Sequence, residues 1–188
     1  TPFMSGIGKE KATAVLHEWQ TDALASASAT NAQIEGDEIG FSAPSATSRV
    51  SNRTQISRKS VIVSGTLDSV SKAGRNNELA YQISKASKEL KRDMESSLCA
   101  NNSPVVGNDS TARELAGLAG WIQQNNDAGS GGANGQVSSA DVPGTARTDG
   151  TQRAFTESQL KSVIKKCWDE GGDPSMIMLG SFNKQVLS

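Results

Sequence analysis

The sequence has few of the residues from which active sites and hydrophobic cores are usually built. Its 188 residues include one histidine, His17, and two cysteines, Cys99 and Cys167. Metal binding needs several ligands that converge, and no CxxC, zincin or EF-hand spacing occurs. His17 precedes Glu18 without a second histidine to complete a zinc-peptidase pattern, so it reads as an ordinary strand residue. The cysteines read as free, inert thiols of a reducing compartment. No Gly-x-Ser-x-Gly elbow is present. The glycine-rich stretch 129–135 lacks the Lys-Ser/Thr of a phosphate loop and reads as linker. No catalytic residue, metal or cofactor is assigned, and the chain is not expected to be an enzyme.

Apolar side chains are also scarce. They make up 35% of the chain and aromatics 4%, with a mean hydropathy of -0.45. No apolar run approaches the roughly 20 residues of a membrane span, and no signal peptide is visible. Such a composition predicts a modest core and much extended chain that completes itself against partners. The opening Thr1-Pro-Phe-Met-Ser-Gly6 lacks an initiator Met, so the chain is expected to be processed, truncated or excised from something longer.

What is present is uneven charge. Residues 1–48 carry 2 basic and 6 acidic side chains, residues 49–92 carry 10 and 3, and residues 93–188 carry 7 and 11. The net values of -4, +7 and -4 reproduce the total of -1. Blocks of opposite sign can steer one copy towards another. Within the basic block the one aromatic residue is Tyr81, too little stacking surface for a single-stranded nucleic-acid platform. A solvated face that pairs with neighbouring copies is the favoured reading. A helical adaptor that touches nucleic acid through residues 49–92 is the alternative.

Periodicity predicts α+β. Residues 12–24 alternate, with Val15, His17, Trp19 and Thr21 on one face, and residues 49–66 form a second β-type stretch. The polar residues 25–48 lie between them, as the excursion of an extended hairpin. From Gly74 to Ala100, Leu79, Ile83, Ala86, Leu90, Met94 and Leu98 recur at helical spacing without a breaker after Arg75. They predict one unbroken helix with that stripe buried. Thr111 and Glu114 predict a capping box and a helix over 111–124. Residues 125–152 read as flexible loop. Thr156 and Gln159 cap a further helix that Gly171-Gly172 ends. Residues 176–179 predict a short buried strand, and residues 182–188 another helical segment.

This order of elements, with several phrases, resembles the major capsid proteins of tailed bacteriophages, in a podovirus-like and siphovirus-like branch. The phrases are Thr1-Pro-Phe-Met4, His17-Glu-Trp-Gln-Thr-Asp22, Gln55-Ile-Ser-Arg-Lys59, Val63-Ser-Gly65, Glu78-Leu-Ala-Tyr-Gln82 and Lys88-Glu-Leu-Lys-Arg-Asp-Met94. The resemblance implies an N-terminal arm over 1–11 and an extended loop with flanking strands over 12–73. It also implies a peripheral domain over 74–124 with its spine helix at 74–100, a flexible insertion over 125–155, and the start of an apical domain over 156–188. Members of that family usually continue further. The implied function is an icosahedral shell around double-stranded DNA, built from hexamers and pentamers of one chain in the host cytoplasm. The implied partners are other copies, packaged DNA by non-specific proximity, and scaffolding or decoration proteins. No membrane partner is implied. Expected intersubunit contacts are Glu35, Asp37 and Glu38 on the loop, and Arg53, Arg58 and Lys59 on the returning strand.

Overall fold

In the computed structural model, residues 2–71, 73–137 and 143–188 are described. The elements are α1 (Pro2–Gly6), β1 (Leu16–Thr21), β2 (Ser48–Arg53), α2 (Gly65–Ser69), α3 (Glu78–Cys99), α4 (Leu118–Trp121), β3 (Gln136–Val137), β4 (Pro143–Thr145), α5 (Glu157–Asp169) and α6 (Ser181–Leu187). The mixture is α+β, as the periodicity predicts.

β1 and β2 pair antiparallel, with Leu16 opposite Arg53 and Thr21 opposite Ser48. His17 and Trp19 share a face of β1, as alternation requires. The His17 ring lies 5.8 Å from Trp19, and Trp19 lies 5.2 Å from Trp121 of α4. The strand expected over 49–66 is shorter. After Thr54, whose N–H reaches the Val15 carbonyl at 2.9 Å, no ladder bond continues among the described residues. The outer side of β2 is instead closed by residues 113–116. Arg113 Nε donates to the Thr54 carbonyl at 2.6 Å, and the Leu115 N–H donates to Gln55 Oε1 at 3.3 Å.

The long helix is unbroken and starts three residues after Arg75. Asn77 takes the Ala80 N–H at 2.7 Å and so fixes the first turn. Glu78, buried, holds Arg75 at 3.0 Å and Gln82 at 2.7 Å. The expected buried stripe is corrected. Leu79, Ile83 and Met94 are exposed, Ile83 by 52%, and the one buried residue of α3 is Glu78. Too little chain lies over the helix to cover the stripe.

The helix expected over 111–124 is also corrected. Asn108 Oδ1 accepts the Ser110 and Thr111 N–H groups at 2.9 and 2.8 Å. The Glu114 N–H, which a capping box would send to Thr111, goes to the Val105 carbonyl at 3.2 Å. The side chain of Asn108 thus turns the chain into a small hairpin. Only α4 remains helical there.

Residues 125–152 are not loop throughout. β3 pairs β4, and Ala133 bridges Thr148. Residues 138–142 lie outside the described residues. α5 begins with the expected capping box of Thr156 and Gln159. It ends as expected, with the Gly172 N–H on the Cys167 carbonyl at 2.8 Å and Gly171 at φ 81°. The segment 176–179 forms no strand and is not buried: Met176, Ile177 and Met178 are exposed, with no partner strand among the described residues. α6 occupies the last segment, as predicted. Cys99 and Cys167 are free; Cys99 is exposed rather than inert in a core, and Cys167 is half-buried.

Candidate assembly interface

The molecule's surface is its main anomaly. It exposes 14858 Å², whereas a compact monomer of 19.7 kDa would expose about 8,600 Å². Among the described residues, Ala116, 3% exposed, is the one buried apolar side chain. The chain orders its backbone yet leaves many of its large apolar side chains exposed.

Three regions carry them. The first is the loop between β1 and β2, in which every residue from 22 to 47 is exposed. Its tip sets Ile34, Ile39 and Phe41 (97% exposed) around the acidic Glu35, Asp37 and Glu38. The Asp37 N–H donates to the Ile34 carbonyl at 3.2 Å, and Gly36 adopts φ 84°, so the tip is a tight turn. The acidic residues were legible in the sequence. The apolar ones were missed there, although three large apolar side chains among three carboxylates within residues 34–41 are a signal of contact rather than of solvation.

The second region is α3 and the segment packed on it. A groove of ≈ 300 Å³ runs between Lys59, Val61 and the helix residues Leu79, Ile83, Ala86, Ser87 and Leu90. Lys59, which lines it, reaches Asp93 at 2.7 Å. The hydrogen bond and charge of Asp93 hold the Lys59 amine above its usual pKa. Of the expected basic contacts, Lys59 is therefore engaged within its own chain. Arg53 and Arg58 form no ion pair with a described residue. The structure does not bring Glu35, Asp37 and Glu38 to any of these three. On α3, Lys85 meets Glu89 at 3.9 Å, while Lys88, Lys91 and Arg92 are exposed and form no ion pair with a described residue.

The third region is the C-terminal part. Trp168 of α5, Met176, Ile177, Met178 and Phe182 form an exposed apolar run. Before this run, Arg153 pairs with Asp127, and Lys166 Nζ of α5 donates to the Asn126 carbonyl at 2.8 Å. The Arg153 hydrogen bond holds the Asp127 carboxyl below its usual range.

Among the described residues no group of three or more metal-ligating side chains converges, and no helix is long and apolar enough to cross a membrane.

Comparison with known proteins agrees with a surface made for contact. The family model of the SU10 major capsid protein matches residues 1–188. The major capsid protein of Escherichia phage Phieco32 is 30% identical over 216 aligned positions, which cover 100% of this chain and 61% of that relative. The chain therefore spans less than two thirds of that relative's length. The chain belongs to the SU10 major capsid protein family.

Proposed function

We propose that the chain is a structural subunit that assembles with copies of itself into the icosahedral shell of a phage head enclosing double-stranded DNA. The observation that carries this reading is the exposed surface of 14858 Å², rich in large apolar side chains. Surface left open in one subunit is buried by the next when contacts repeat around closed symmetry. Catalysis and cofactors have no part in it, in keeping with a family of capsid proteins.

In this reading residues 12–73 are an extended loop with its strands, and the tip meets a neighbour. Glu35, Asp37 and Glu38 face cations there: Arg53 and Arg58 of the returning strand and the unpaired Lys88, Lys91 and Arg92 of α3. Ile34, Ile39 and Phe41 cover Ile83 and Met94. Lys59 contributes by holding the groove in place. Residues 1–11 are an arm, 74–124 a peripheral domain, 125–155 an insertion, and 156–188 the start of an apical domain. Packaged DNA lies nearby without sequence-specific contacts, scaffolding or decoration proteins assist, and the shell forms in the host cytoplasm before the chain resides in the virion.

The test is assembly of the longer protein across a concentration series, followed by light scattering and negative-stain microscopy. Closed particles of uniform size are the expected result. A monomer that persists at high concentration and binds DNA with a steep salt dependence would instead favour the adaptor reading.

A further inference from the structure

The N-terminal helix α1 has an arrangement that its own sequence does not explain. Five residues are too few for a stable isolated helix, because nucleation is not repaid over one turn. The first turn of α1 carries no acidic residue, and none of its residues is buried. Its first amides find their acceptors elsewhere. The Phe3 and Met4 N–H groups donate to Oε1 and Oε2 of Glu95, each at 3.3 Å. Glu95 lies on α3, more than 90 residues along the chain. A carboxylate that takes two first-turn N–H groups satisfies orphan donors and complements the positive end of the helix. The far end of α1 meets a different part of the molecule: an added Cβ at Gly6 would lie 3.4 Å from the Met176 methyl. α1 thus spans from the long helix to the segment before α6.

We propose that residues 2–7 form an order–disorder strap, helical and docked only while Glu95 holds its first turn, and that Glu95 is the positioning residue of this switch. Apolar burial cannot replace the carboxylate, because Phe3 and Met4 are half-buried and the rest of α1 is exposed. Loss of the Glu95 contact removes capping and docking together, so the strap has two states and little between them. Release exposes the half-buried Phe3 and Met4 and loosens the approach of Gly6 to Met176. The inference stands apart from the shell reading, since every contact it uses lies within one chain.

The test is amide exchange measured by NMR on the whole chain, comparing the parent with Glu95→Gln and with Glu89→Gln as a control on the same helix. In Glu95→Gln the protection of the Phe3, Met4 and Ile7 amides should fall roughly tenfold or more. Protection across α3 should stay at the parent value, and the control should change neither. Unchanged protection of residues 3–7 in Glu95→Gln overturns the proposal. If α3 also loses protection in that variant, Phe3→Pro provides the second reading. It removes one donor from the arm without breaking a bond inside α1, since the Phe3 N–H is one of the orphan first-turn donors, and leaves α3 intact. Retained protection at Met4 and Ile7 in Phe3→Pro then overturns the proposal, and its loss supports it.

Discussion

Asn52 and Ala116 face each other as two strands would. Asn52 Nδ2 donates to the Ala116 carbonyl at 3.1 Å, and the Ala116 N–H returns a bond to Asn52 Oδ1 at 2.9 Å. The side-chain amide thereby stands in for a backbone amide and seals β2 beside the buried Ser51. Asn52→Ala leaves both backbone groups of Ala116 without partners and should destabilise the chain by about 1–3 kcal/mol. Asn52→Asp keeps the acceptor but loses the donor, and should be similarly harmful. Urea melts of the two variants beside the parent check this.

The stripe on α3 should behave as an interface rather than a core. Ile83 is 52% exposed, so Ile83→Ala should cost the lone chain less than the ~2–5 kcal/mol typical of a buried site. Ile83→Ala combined with Met94→Ala should nevertheless lower particle yield in the longer protein. A melt shifted as far as a core variant would shift it, with normal assembly, would reverse the assignment.

Thr156→Ala removes one half of the capping box and should destabilise α5 by about 0.5–2 kcal/mol. The effect should be local, because no residue of α5 is buried. Exchange rates along α5, set against those of α3, separate a local loss from a global one.

Reversal of Glu35, Asp37 and Glu38 to Lys should hardly move the melting temperature, since exposed pairs are each worth roughly 0–1 kcal/mol. Assembly at low salt should fall, and added salt should partly restore it by screening the repulsion. Light scattering across a salt series decides: a triple variant that assembles like the parent at low salt removes electrostatics from the contact.

Asp127 fixes a pH dependence. Its carboxyl is held below the usual value by Arg153, so the folded chain binds a proton less readily than the unfolded one. The resulting stability is present above the unfolded pKa and is lost as pH falls through the depressed folded pKa. Protection around residues 127 and 153 should therefore decline in acid, and Arg153→Gln should show little of that decline.

The parts of this fold legible in the sequence are those decided by neighbours along the chain. The run without breakers from Arg75 to Ala100 predicts α3, and Thr156, Gln159 and Gly171 mark both ends of α5. Elsewhere distant contacts decided. Thr111 and Glu114 have the spacing of a capping box, but the Asn108 side chain and the Val105 carbonyl claim their amides. An added Cβ at Gly117 would lie 2.0 Å from the Ala100 carbonyl oxygen, a close approach between segments that no local pattern announces. The burial of the α3 stripe failed for a related reason, because periodicity identifies a face that can pack without saying what covers it. The carboxylates of the loop tip were legible from charge alone, whereas their separation from Arg53, Arg58 and Lys59 is a matter of tertiary placement.

The surface that one chain leaves in water has a thermal consequence. Heat capacity changes with the apolar area removed from solvent, so a subunit with one buried apolar side chain among its described residues should unfold with a small heat-capacity increment for its length. The missing increment should appear when surfaces close, as a large negative heat capacity of association. Contacts of that kind draw their strength from the release of water and weaken on cooling. A particle held by these faces should therefore be tightest when warm, and should loosen in the cold before its subunits unfold.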